Sequence, residues 1–176
     1  MTSNNYDYVY DIIVTQFTRS LKGLLECLLE ARAFAKERGF NENVYLDLKV
    51  APDMFSFVKQ IQITTDTAKG AVSRLSRKTA PVFEDKETTL EELILRVQKT
   101  IDYISEFKPS DFETFKETEA RFPWTKGFYL KGKDFLESHA IPNFYFHYTT
   151  AYVLLRNSGV NLGKKNFLGQ QPWIKE

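Results

Sequence analysis

Two histidines, an asparagine between them and a few polar side chains on an earlier segment are the groups in this chain best suited to chemistry. His139, Asn143 and His147 recur every four residues within the stretch Asp134 to Asn157, so on a helix they form one stripe. Phe144, Tyr148, Ala151 and Leu155 form the adjoining apolar face. At the helical repeat His147 then falls about 60° from the middle of that face, at the edge of a core. Imidazole nitrogens bind divalent metals or move protons near neutral pH, and amide and carboxylate oxygens can complete such a site. With only 2 histidines in the sequence an all-histidine triad within one chain is excluded, so a metal site here needs oxygen ligands. Asp53, Gln60 and Asp66, on the second of the expected helices, are the candidates for that third partner. The competing reading has His147 hydrogen-bonded inside the fold and His139 half-exposed above a proline.

The other chemically suggestive residues have plainer explanations. Asp53 follows Pro52, and the pair suits a helix start, with proline in the first turn and a carboxylate facing the positive end of the dipole. Asp66 and Lys69 have the spacing of an ion pair on one helix. Gly163-Lys164-Lys165 lacks the upstream glycine and the preceding strand of a phosphate-binding loop. Cys27 sits among Leu24, Leu25, Leu28 and Leu29, where a small buried thiol is expected. As the single cysteine it excludes an internal disulfide and fits a reducing compartment. No nucleophile–base arrangement can be built from these spacings.

Composition narrows the partners. The 24 basic and 23 acidic residues leave a net charge of +1, so no global field draws the chain to nucleic acid or to an anionic membrane. Hydrophobic residues make up 43% of its 176 positions, which suits one globular domain spanning 1–176 with a sizeable core. The first residues, Met-Thr-Ser-Asn-Asn-Tyr-Asp, lack the basic and apolar regions of a leader, and no apolar run is long enough to span a membrane. A cytoplasmic location is expected.

The elements that must position these residues are helical. Ile13, Phe17, Leu21, Leu24, Leu28, Ala31 and Ala35 step by three or four, predicting a helix over 8–38 with Gly39 as its cap. A single turn is expected around Val44 to Leu46. Met54, Val58, Ile61, Thr65, Ala68, Val72 and Leu75 predict a second helix over 53–77. Leu90, Ile94, Val97, Ile101 and Ile104 predict a third over 89–107, with Thr88 and Glu91 at capping-box spacing. Glu117 to Phe122 and Gly127 to Lys131 read as a short β-hairpin or extended loop. The fourth helix, 134–157, contains Pro142, which predicts a kink or break there. The sum is an all-α fold, an antiparallel four-helix bundle with the hairpin or loop between helices three and four. Phe146 and Val153 point away from the main core face of the last helix, so the apolar C-terminal tail or a second copy of the chain should cover them.

The strings Val50-Ala-Pro-Asp-Met-Phe55, Gln60 to Lys69, Pro81-Val-Phe-Glu-Asp85, Pro142-Asn-Phe-Tyr-Phe-His147, Thr150-Ala-Tyr152 and Gly163-Lys-Lys-Asn-Phe-Leu-Gly169 occur in this order along the chain. Together they resemble a bacterial and fungal family of unknown function placed with the DinB/YfiT-like metalloenzymes. The resemblance implies a four-helix bundle and, in typical members of the superfamily, a divalent metal held by a helix-two histidine and an HxxxH pair on the last helix. Some members of that superfamily are thiol-dependent transferases or isomerases. In this sequence the pair reads Asn143 and His147 and helix two has no histidine, with Asp53 the nearest oxygen ligand at the corresponding end. A set of Asp53, Asn143 and His147 suits a weakly bound, harder divalent ion or no metal at all. Two functions follow from the resemblance and the residues together. One is a small-ligand-binding or structural homodimer with a degenerate metal site. The other is a divalent-metal-dependent enzyme with His147 as ligand.

Overall fold

The computed structural model describes residues 6–175 and is mostly helical. Met1 to Asn5, most of the stretch read for a leader, lie outside the described residues. Among the described residues no helix is long and apolar enough to cross a membrane.

Helix α1 runs without interruption over 7–38, as a turn Asp7–Tyr10, a π-helical stretch Asp11–Gln16 and a regular helix Phe17–Arg38. All seven residues of its predicted stripe are buried, and Gly39 ends it in the left-handed conformation at φ 72°. A short 3-10 turn, Glu42–Asp47, follows where a turn was expected and buries Tyr45 and Leu46.

Helix α2 is Phe57–Ser76, and here the predicted start is corrected. Pro52 and Asp53 form a surface turn instead of a first helical turn, closed by Met54 N–H donating to Ala51 O. The chain then stays extended to Ser56, and Phe57 N–H donates to Leu48 O at 2.8 Å. Burial of Phe57 sets the true entry, a tertiary constraint that outweighs the local suitability of proline and aspartate.

Helix α3 is Leu90–Ser105. The capping box is one residue later than predicted, with Glu92 N–H donating to Thr89 Oγ1 and the Glu92 carboxylate accepting from Thr89 N–H. The sequence offers Thr-Thr and Glu-Glu at the same spacing. The start at Leu90 selects the second pair, because Leu90 is buried and its N–H is bound by Asn43 Oδ1.

Strands β1 (Glu119–Arg121) and β2 (Tyr129–Lys131) pair antiparallel, with Ala120 opposite Leu130. Gly132 leaves this hairpin against the Phe115 carbonyl oxygen, 1.7 Å from where a Cβ would lie, so only glycine fits. Helix α4 follows as Gly132–Asp134, a π-helical stretch Phe135–Ala140 and Ile141–Asn157. The expected disturbance at Pro142 takes the form of this π stretch. Ala140 and Ile141 keep helical backbone angles, and Pro142 sits in the first turn of the segment that resumes after it.

The core is one cluster drawn from all four long helices. At its centre Phe17 of α1 and Phe144 of α4 stack with centroids 4.0 Å apart, and each is fully buried, a contribution of about 1.5–3 kcal/mol per ring. The C-terminal segment with its short helix α5, Lys164–Leu168, lies over α1 and α4. Phe167 stacks on Tyr148 at 4.5 Å, and Tyr148 donates its hydroxyl to the Phe167 carbonyl at 2.7 Å. Gly23 permits this approach, since a Cβ there would lie 2.5 Å from the Asn166 carbonyl oxygen. The tail does not reach Phe146 and Val153, which stay 56% and 43% exposed, so the expectation that it covers them is not met.

Candidate functional site

The seam between α2 and α4 carries most of the polar residues singled out above. Gln60 meets His147 at one level, Thr67 meets Asn143 further along, and Arg74 reaches the Phe135–His139 turn beyond that. Numbers rise along α2 as they fall along α4, so the two helices run in opposite directions.

At the first level His147 Nδ1 lies 2.6 Å from Gln60 Oε1. The Gln60 amide nitrogen donates to the Phe55 carbonyl at 3.0 Å, which leaves its oxygen as the acceptor facing His147. The imidazole therefore carries its proton on Nδ1 in the arrangement that satisfies both groups. Burial holds its pKa below the ordinary histidine value and favours the neutral ring. Asp53 lies in the exposed turn two residues before Phe55. Its carboxylate has no hydrogen bond or ion pair with the described residues.

At the second level Asn143 Nδ2 donates to Thr67 Oγ1 at 2.8 Å. Beside this pair is a pocket of about 220 Å³ whose wall includes Asp66, Thr67, Arg74, Phe122, His139 and Asn143. His139 packs between Phe122, tilted against it at 4.7 Å, and Phe135, stacked on it at 5.8 Å. Burial, and then the nearby Arg74 charge, push its pKa down. The π stretch of α4, Phe135–Ala140, lies along this pocket.

The five expected site residues thus divide. Gln60 and His147 form one buried pair, Asp66 and Asn143 line the pocket, and Asp53 stands in the exposed turn at the Gln60 end. Thr67, Arg74 and Phe122 join the pocket although sequence reasoning missed them. A local signal existed for Arg74, because Gly70 lies one turn before it and a Cβ there would come within 2.3 Å of Arg74 Nη1.

A second feature missed from sequence is Arg96 of α3. Its side chain is only 2% exposed and pairs with Asp66 at 3.0 Å, Asp85 at 3.1 Å and Glu87 at 2.9 Å. Its Nε also donates to Thr65 Oγ1. Lys69 pairs with Asp66, and Lys59 with Asp85. Three cations and three carboxylates close this network and clamp the segment 84–87 onto α2 and α3. Asp66 pairs through Oδ1 with Lys69 and Arg96, and its charge also acts on Arg74 across the pocket wall.

Cys27 is buried as expected, and burial together with Glu26 pushes its thiol up to about 12, so it is inert at neutral pH.

Residues 9–168 match the family described as Domain of unknown function (DUF1993). The chain belongs to this family. A solved structure of a DinB family member from Shewanella denitrificans is similar to it at a TM-score of 0.92 and 40% identity, over 98% of this chain and 100% of that one. The match supports the DinB-like resemblance across nearly the whole chain. No curated protein matches it.

The metal implied by the wider superfamily can be tested against these donors. Among the described residues no group of three or more His, Cys, Asp or Glu side chains could hold a metal ion. Both ends of the Gln60 amide are occupied, and Asn143 is committed through its nitrogen to Thr67. The donor set does not fit a tightly held transition metal.

Proposed function

We propose that this protein is a small-ligand-binding member of the DinB-like group with a degenerate metal site. In this reading the four long helices form an antiparallel bundle, one domain over 1–176, with the β1–β2 hairpin between helices three and four. Asn143 and Asp66 contact the ligand in the α2–α4 pocket, while Gln60 and His147 brace the same seam. The observation that carries this reading is the Gln60–His147 pair. A glutamine satisfied at both ends takes the place facing His147 where a metal site would need another ligand. The protein acts in the cytosol as a homodimer through the exposed Phe146 and Val153, with neither nucleic acid nor membrane as partner.

A second reading is favoured by one observation. The tautomer fixed by Gln60 leaves His147 Nε2 as the basic nitrogen, a state suited to a metal or to general-base work. In that version a divalent-metal-dependent enzyme uses His147 with Asn143 and Asp53, and the turn at Asp53 must close onto the site.

Metal analysis and thermal melting on protein purified without a polyhistidine tag separate the two. The ligand-binding reading predicts that His147→Ala costs about 1–3 kcal/mol by leaving Gln60 unsatisfied, with no metal to lose. Stoichiometric metal in the parent protein and its loss in the variant would establish the enzyme reading instead. For the dimer, sedimentation of Phe146→Glu with Val153→Glu should give a folded monomer, and an unchanged dimer would place the interface elsewhere.

A further inference from the structure

We infer that the α2–α4 pocket takes a small planar carboxylate, recognised by the guanidinium of Arg74. This inference rests on the ligand-binding reading and deepens it by naming the ligand class.

Arg74 differs from the other cations near it. Lys59, Lys69 and Arg96 pair directly with Asp66, Asp85 and Glu87, three charges against three, whereas Arg74 meets Asp66 only as a nearby charge across the pocket wall. Among the described residues its guanidinium has no ion pair or hydrogen bond. Half-buried at the pocket wall, it is held over the Phe122 ring at 4.9 Å and the Phe135 ring at 5.8 Å. The two rings confine the guanidinium by cation–π contact without using its N–H groups, which are free to make a two-pronged bond to a carboxylate. Gly70 completes the device, because its missing Cβ is what lets Arg74 Nη1 lie back along the helix.

The rest of the wall sets the shape. Trp124 stacks on Phe122 at 4.7 Å and is 70% exposed, so it can cover a planar group at the pocket mouth. Burial and the Arg74 charge hold His139 toward its neutral form, which leaves Arg74 as the cation on the pocket wall. Asn143 gives its nitrogen to Thr67 and retains an oxygen acceptor beside the pocket. A volume of about 220 Å³ is below the roughly 300–1,000 Å³ usual for drug-sized ligands, which limits the occupant to a compact acid. Asp66 also borders the pocket; its Oδ1 pairs with Lys69 and Arg96 at 2.9 and 3.0 Å, and its charge, felt by Arg74, is what an incoming carboxylate must compete with.

The test is a titration of the isotope-labelled full chain with benzoate, benzamide and inorganic phosphate, read by NMR at the Trp124 indole and the Arg74 Nε–H. Trp173, 87% exposed and absent from the pocket wall, serves as the internal control. Benzoate is expected to shift the Trp124 and Arg74 signals saturably, with benzamide and phosphate weaker by about tenfold or more. Arg74→Gln should erase the preference for benzoate. Gly70→Ala should do the same while keeping the charge, because it displaces only the far end of the arginine, and it guards against a folding defect in the first variant. Equal binding of benzoate and benzamide overturns the carboxylate assignment, leaving the pocket reading intact and Arg74 as a packing element. Phosphate binding as tightly as benzoate overturns the planar part of the ligand class. No shift with any probe overturns the inference, while the ligand-binding reading stands or falls on the metal content and melting of His147→Ala.

Discussion

His147 Nδ1 and Gln60 Oε1 lie 2.6 Å apart, joining two helices through residues separated by 87 positions in the chain. The bond sets the tautomer of the imidazole and uses the last free atom of the Gln60 amide, whose nitrogen is bound to Phe55 O. It also registers α2 against α4, and that register places Thr67 opposite Asn143 and Arg74 beside His139.

The tail depends on a missing methyl group. Gly23→Ala puts a Cβ 2.5 Å from Asn166 O and 2.8 Å from the Tyr148 hydroxyl, so the C-terminal segment must shift. A loss of about 1–3 kcal/mol is expected from this overpacking, with faster proteolysis after Val160. Unchanged denaturant stability and cleavage would show that the segment is not seated there.

Removal of the Arg96 guanidinium leaves Asp66, Asp85 and Glu87 facing one another around a buried space. Arg96→Ala is expected to cost about 3 kcal/mol, tempered by the partial exposure of Asp66 and Asp85. Lys59→Ala, which removes a half-exposed partner of Asp85, should cost under about 1 kcal/mol. Equal effects of the two substitutions in urea unfolding would contradict the network as drawn.

Acid should weaken the fold in two separate windows. Burial lowers the pKa of His147, and burial followed by Arg74 lowers that of His139, so the unfolded chain takes up these protons first. Stability is then full above about pH 6.5 and falls as the pH drops below it. Burial alone would raise the pKa of Asp85, but its bonds to Lys59 and Arg96 hold it below the ordinary value, and Lys78 does the same for Asp111. Their contribution is lost only below about pH 4. Urea unfolding at about pH 7.5 and pH 5.5 should show the first loss, and His139→Gln should make it shallower. Equal stability at the two pH values would contradict the burial of neutral imidazoles.

The helices were legible because their apolar residues repeat at three and four, and the stripes of Phe17, Ile94 and Phe144 all enter the core. Starts were less legible, since Pro52-Asp53 and Ser56-Phe57 are both acceptable entries and only the burial of Phe57 chooses between them. The candidate site was half legible. His147 could be placed at a core edge from its own helix, but its partner is Gln60, and finding it requires the register between two helices. Arg96 was hidden for a related reason: its partners Asp85 and Glu87 lie in a loop whose path no periodicity records.

The most direct measurement is nitrogen-15 NMR of the two imidazoles at neutral pH, before and after one equivalent of zinc. A neutral His147 ring, protonated at Nδ1 through Gln60 and unmoved by zinc, is the predicted result, with the tautomer lost in Gln60→Ala. A zinc-dependent shift of His147 Nε2 in the parent protein would contradict the degenerate-site account and make His147 a metal ligand.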